Sequence, residues 1–146
     1  MSASNAFETD LLEHIFENAA LAKIGDASGL QPSATAGSLY IGLHTGDPGE
    51  AGDQTTNECD YTSYARVAVA RTDAKWTISG NSCKNADVVT FPEATGGTNT
   101  ATHFSIGTDS SGAGLLLFSG ALDSSLSISN GITPEYAAEA LEITAD

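Results

Sequence analysis

Two short runs of strict alternation constrain this chain more than anything else in it. In Ser38-Leu39-Tyr40-Ile41-Gly42-Leu43-His44, Leu39, Ile41 and Leu43 fall on one side and Tyr40, Gly42 and His44 on the other. In Tyr64-Ala65-Arg66-Val67-Ala68-Val69-Ala70-Arg71, Ala65, Val67 and Val69 oppose Arg66, Ala68 and Ala70. Successive side chains of an extended chain point to opposite faces, so this period predicts half-buried antiparallel strands with one face on a core. Between the runs, Thr45-Gly46-Asp47-Pro48-Gly49-Glu50-Ala51-Gly52 reads as a turn, because proline fixes φ and glycine permits positive φ.

The rest of the chain repeats the pattern of short strands and turns. Trp76-Thr77-Ile78 precedes a turn at Ser79-Gly80-Asn81, and Ala86 to Phe91 forms a segment stopped by Pro92. Ala101 to Gly107 alternates Thr102, Phe104 and Ile106 against His103, Ser105 and Gly107. A connection at 109–114 leads to Leu115-Leu116-Leu117-Phe118, a continuous apolar run expected in a strand covered on both faces. Leu126-Ser127-Ile128 ends before the turn dipeptide Asn130-Gly131, and Ala140 to Thr144 supplies a last strand. The expectation is a mainly β fold, a β-sandwich or jelly roll of about seven to eight short antiparallel strands with one N-terminal α-helix.

Residues 5–24 carry that helix. Phe7, Leu11, Leu12, Ile15, Phe16 and Ala19 recur at steps of three and four, which draws an apolar stripe. Asn5 suits the N-cap with Glu8 in a capping box, Lys23 suits the negative end of the dipole, and Gly25 is a natural stop. Residues 25–37 read as a linker of turn-forming residues around Leu30, leaving 38–146 as the β body of a single domain over 1–146. The stripe either covers the sheets or docks on a neighbouring subunit, and Phe7, Leu11 and Ile15 are the candidate protein-interaction face.

The balance of charge excludes several functions. Nineteen acidic residues face five basic ones, a net charge of −14. Phosphate would be repelled, so neither nucleic acid nor an anionic membrane is expected as a partner. No run approaches the ~20 apolar residues of a membrane span, and the start lacks the basic and apolar regions of a signal peptide, so a soluble protein made in the cytosol is expected. Cys59 and Cys83 match no metal or redox spacing and are expected as two free thiols, one or both half-buried, with a disulfide open to them outside the cell.

Reactive chemistry finds little support. His14, His44 and His103 are the only imidazoles, and no HExxH, HxH or GxSxG accompanies them. His44 and His103 sit on the outer faces of their strands and are expected to be exposed or half-buried structural residues. The acidic loop with Asp47, Glu50, Asp53, Glu58 and Asp60 lacks the regular spacing of an EF-hand and is read as solvated rather than as a calcium site. No catalytic residue, cofactor or metal is assigned.

The order of the segments resembles a family of small bacteriophage virion proteins labelled tail fibre proteins, with similar domains serving as capsid decoration, or cement, proteins. The stretches that carry it are Leu39 to Thr45 with Asp47-Pro48-Gly49, Thr62 to Val69, Val88 to Pro92, Ala101 to Gly107 and Leu116 to Leu122. The resemblance implies a virion structural protein and not an enzyme. Its expected role is capsid decoration that binds the outer capsid surface and stabilises the particle, with the major capsid protein as partner and a homo-oligomer, such as a trimer, as the assembled form. The alternative it implies is a tail fibre, tail-tip or baseplate domain contacting other tail proteins or a host receptor or glycan. Tyr40, Tyr61, Tyr64 or Trp76 grouped in a shallow groove would favour the glycan, and a deep pocket holding His44 or His103 with a carboxylate would favour an enzyme.

Overall fold

Strand pairing, not helix packing, organises the chain. A computed structural model describes residues 2–145. Among them are one helix, α1 (Asn5–Phe16), and nine strands: β1 (Ser38–His44), β2 (Val67–Ala70), β3 (Trp76–Ser79), β4 (Ser82–Asn85), β5 (Val89–Thr90), β6 (Asn99–Gly107), β7 (Leu116–Ile128), β8 (Glu135–Tyr136) and β9 (Glu142–Thr144). The sheets run β2-β1-β6-β7, β3-β4-β9 and β5-β8. The pairs β1–β6, β6–β7, β3–β4 and β4–β9 are antiparallel. The fold is thus mainly β with a single N-terminal helix, as the alternating runs require. The chain forms two compact units, one of residues 1–38, 70–88 and 136–146 and one of residues 39–69 and 89–135.

In the first unit α1 lies on the β3–β4 hairpin. Leu12 and Phe16 are fully buried, and Phe16 meets Trp76 edge to face with ring centroids 4.7 Å apart. The helix is shorter than the expected span 5–24. Ser4, not Asn5, is its N-cap, with the Ser4 hydroxyl accepting from the Phe7 amide, and Glu8 therefore falls one place beyond the capping-box position. The chain leaves the helix at Glu17 because Asn18 takes a left-handed conformation (φ 56°), so Asn18 supplies the stop expected of Gly25. The cation at the helix end is Arg71 rather than Lys23. Its guanidinium donates to the carbonyls of Ile15 (2.6 Å), His14 (2.6 Å) and Ala36 (3.0 Å). Asn85, almost wholly buried on β4, accepts from the Leu141 amide and donates to Ala137 and Asp87 carbonyls, fastening the C-terminal segment before β9.

The second unit holds the four-stranded sheet except for Ser38 and Ala70 at its strand ends. The β1–β6 register pairs Ile41 with Ile106 and Leu43 with Phe104 on the apolar face, and Gly42 with Ser105 and His44 with His103 on the other. β7 continues from β6 with Phe104 opposite Gly120 and Ile106 opposite Phe118. Gly120 is required there, because a Cβ would come within 2.8 Å of the Phe104 ring. The expected strands at 115–118 and 126–128 are one continuous strand of 13 residues. The expectation that its apolar start is covered on both faces is overturned. Leu115 is 62% exposed, and Leu116, Leu117 and Phe118 are half-buried, because β7 is an outermost strand of the sheet.

Candidate functional site

The face of β1 and β6 expected to meet solvent is instead roofed by the loop 45–63, and it carries a buried polar layer. His44, placed on an outer face by the alternation alone, is 0% exposed, as is Ser105 beside it. His44 Nδ1 lies 2.8 Å from the Thr56 carbonyl and Nε2 2.7 Å from the Ser105 hydroxyl. A carbonyl only accepts, so Nδ1 carries the proton and the Ser105 hydroxyl donates to Nε2. Burial lowers the pKa of His44 and keeps the ring neutral, with the Thr56 hydrogen bond opposing the shift. Gly42 makes room for the pair, since a Cβ there would stand 2.8 Å from Ser105 Oγ.

The layer continues through Tyr64, Glu58 and Arg66. The Leu43 amide donates to the Tyr64 hydroxyl, which in turn donates to Glu58 Oε1 (both 3.0 Å). Burial raises the Tyr64 pKa and keeps its hydroxyl protonated. Arg66 grips Glu58 with two bonds, Nε to Oε1 at 2.6 Å and Nη2 to Oε2 at 2.8 Å, and reaches the carbonyls of Asp109 (2.9 Å) and Gly112 (2.8 Å). Gln54, fully buried, donates to the Asp109 carbonyl and accepts from its amide. Gly107 and Gly114 admit it, because a Cβ at either would stand within 2.2 Å of the Gln54 side chain. These bonds join the loop 45–63 to the connection 108–115.

A serine hydroxyl on an imidazole is also the beginning of a nucleophile–base pair. Here both side chains are sealed from solvent, and neither lines the unit's groove. The pair is therefore a hydrogen-bonded strut under the loop.

The groove runs beside β7. It has a volume of about 570 Å³ and is lined by Leu116 through Ala121, His103, and the loop residues Asp47, Gly49, Glu50 and Gly52. His103 thus shares a cavity with carboxylates, the arrangement named above as favouring an enzyme. No ion pair joins them among the described residues, and His103 Nδ1 is engaged with its neighbour Thr102 Oγ1 at 2.9 Å.

The acidic side chains of the loop are largely occupied. Asp47 accepts from the Gly49 amide, Asp53 from the Thr55 amide and hydroxyl, Glu58 from Arg66, and Asp60 from Asn99. Those Thr55 bonds hold the half-buried Asp53 carboxyl below its usual range. No three His, Cys, Asp or Glu side chains among the described residues group so as to hold a metal ion. Tyr61 and Trp76 are buried, and Tyr64 packs against Tyr61 and Phe91 at centroid distances of 5.3 and 6.4 Å, so these rings build cores rather than a sugar platform. Cys59 and Cys83 are free and fully buried rather than half-buried, and desolvation pushes both thiols up to about 12.

The face proposed from helical periodicity divides. Phe7 is 41% exposed, Leu11 and Ile15 are half-buried, and Leu12 and Phe16 point inward. The sequence marked Glu58 only as one carboxylate of a solvated acidic loop and Arg66 only as a member of an alternating run, and it did not mark Gln54. The one signal for them was an arginine, Arg66, placed inside an alternating run directly after a loop whose charges are all acidic.

Comparison with known families places this β-rich chain among bacteriophage virion structural proteins of the fibre type. The match spans residues 2–144, nearly the whole chain. The chain belongs to the family described as Podophage GP4 fiber I protein gp80. No curated protein matches it.

Proposed function

We propose that the protein is an external structural component of the phage particle that works by docking on other virion proteins and performs no catalytic step. Its membership of a phage fibre family over nearly its full length is the observation that carries this. The sealed His44–Ser105 pair supports a structural use of that hydroxyl–imidazole contact. The net charge of −14 suits a position outside the shell, away from packaged genome.

Two seats fit. In the first the chain decorates the outer capsid surface and adds buried area that opposes internal pressure, with the major capsid protein as partner. In the second it is part of a fibre or tail assembly, a seat supported by the word fiber in the family's description. In either seat a homo-oligomer, such as a trimer, would extend the contact toward the ~1,000 Å² that a stable interface needs. Quantifying the chain in purified particles and locating it by electron cryo-microscopy tests the proposal. Many copies at capsomer junctions mean decoration, and a few at the tail mean a fibre. Absence from washed particles refutes both.

A further inference from the structure

We propose that β7 and the groove beside it take an extended cationic segment of another protein, added to the sheet as a further strand. The inference rests on the virion-docking function and specifies the chemistry of its partner. β7 is an outermost strand of 13 residues, long for an edge. Natural edges are blunted by lysine, proline, brevity or a bulge that turns the strand away. β7 has no lysine or proline, Asp123 is its single charge, and its pairing with β6 slips at Leu117 and between Ala121 and Leu126 but is regular from Phe118 to Ala121 beside the groove. The groove is lined by six consecutive residues, Leu116 to Ala121. Over that regular stretch, Phe118 to Ala121, alternate side chains point to opposite faces, so a groove touching all four of these residues follows the strand itself rather than one face. A bound strand would gain main-chain hydrogen bonds there, and the half-buried Leu116 and Leu117 would receive its apolar side chains.

Charge selects the occupant. The groove's rim holds Asp47 and Glu50, both exposed, on a chain of net charge −14. A second copy would bring the same acidic rim. Antiparallel self-pairing about the middle of β7 would also set Asp123 close to its own mate, a like-charge contact that weakens cross-strand pairing. A segment alternating basic and apolar residues meets both the rim and the apolar lining.

The test uses the full-length protein and a blocked peptide of about eight residues alternating lysine and valine, with a glutamate–valine peptide as its counterpart. The lysine peptide should bind saturably, slow amide exchange within 116–121, and weaken as salt is raised. Glu50→Lys, a substitution at an exposed side chain, should weaken it about fivefold while circular dichroism stays unchanged. Equal binding of both peptides, unchanged exchange at 116–121, or undiminished affinity in Glu50→Lys would overturn the proposal. So would self-association of the peptide-free protein through β7, which would make a second copy the occupant. A chain found in the particle whose β7 ignores the lysine peptide would sink the groove and leave the virion role standing.

Discussion

Gly42 offers the sharpest test of the buried polar layer. Its φ is ordinary, so space and not backbone freedom demands a glycine. A Cβ at this position would lie 2.8 Å from Ser105 Oγ, and 3.3 Å from both His44 Nε2 and the Tyr64 hydroxyl. Ser105 cannot turn aside without surrendering its 2.7 Å bond to His44, whose Nε2 would then be buried without a donor. Overpacking costs about 1–3 kcal/mol, and a buried acceptor left unsatisfied a further ~1–3 kcal/mol. Alanine adds a single carbon, which takes both costs at their low end, and it recovers about 0.5–1 kcal/mol of the strand penalty of glycine, so Gly42→Ala should cost about 1–2 kcal/mol. Gly42→Val, with two more methyl groups to place, should cost about 3–5 kcal/mol, a fall in Tm of roughly 9–15 °C for a chain of this size.

Urea and thermal melts of Gly42→Ala, Ser105→Ala and the double variant measure the coupling directly. Ser105→Ala removes the nearest atom, so the alanine at 42 should cost at least ~1 kcal/mol less in that background. An unchanged Tm for Gly42→Val, or penalties additive to within ~0.5 kcal/mol, would refute the close packing of Gly42, Ser105 and His44.

Three further outcomes are expected. Arg66→Ala should destabilise by about 3–5 kcal/mol in urea melts, because it strands the Glu58 carboxylate, and Arg66→Met with Glu58→Leu should cost clearly less. His44 is neutral when folded and titrates near ~6.5 when unfolded, so below that pH the unfolded chain binds more protons and stability falls until the lowered folded pKa is reached. Urea midpoints should accordingly drop between about pH 7 and 6, and ring nitrogen shifts should show His44 keeping its Nδ1 proton alone. Cys59 and Cys83 should ignore a thiol reagent at about pH 8 in the native protein and both react after denaturation without reductant, whereas a disulfide would leave them silent in each case.

What the sequence disclosed follows from how local each signal is. β1 was legible to the residue, since alternation and its flanking turns fix a strand without outside help. The helix was legible in kind but not in length, because Asn18 stops it through a single backbone dihedral and the cap, Arg71, arrives from far along the chain. β4 was missed because Ser82-Cys83-Lys84-Asn85 has little apolar character and is held by partners on both sides, Ile78 against Cys83 and Cys83 against Ile143. The site was least legible. Alternation assigns His44, Ser105 and Arg66 to the side away from the core, and it holds no information that a loop will roof that side and convert it into a second, polar interior.

That polar interior bears on docking as much as on stability. The rim residues Asp47 and Glu50 lie on the loop that the layer holds down. Thr56 and Asn57 are its anchors, through His44 Nδ1 to the Thr56 carbonyl, the Thr45 amide to the Asn57 carbonyl at 2.7 Å, and Asn57 Nδ2 to the Asp47 carbonyl at 2.9 Å. Apolar packing would bury comparable area but leave the loop free to settle in several conformations, whereas a chain of hydrogen bonds is satisfied in few. On the proposed function, the imidazole and hydroxyl that invite comparison with a catalytic pair serve geometry: they set where two carboxylates stand beside an edge strand. The proposed docking surface, meeting a partner strand in one register, would need that fixity.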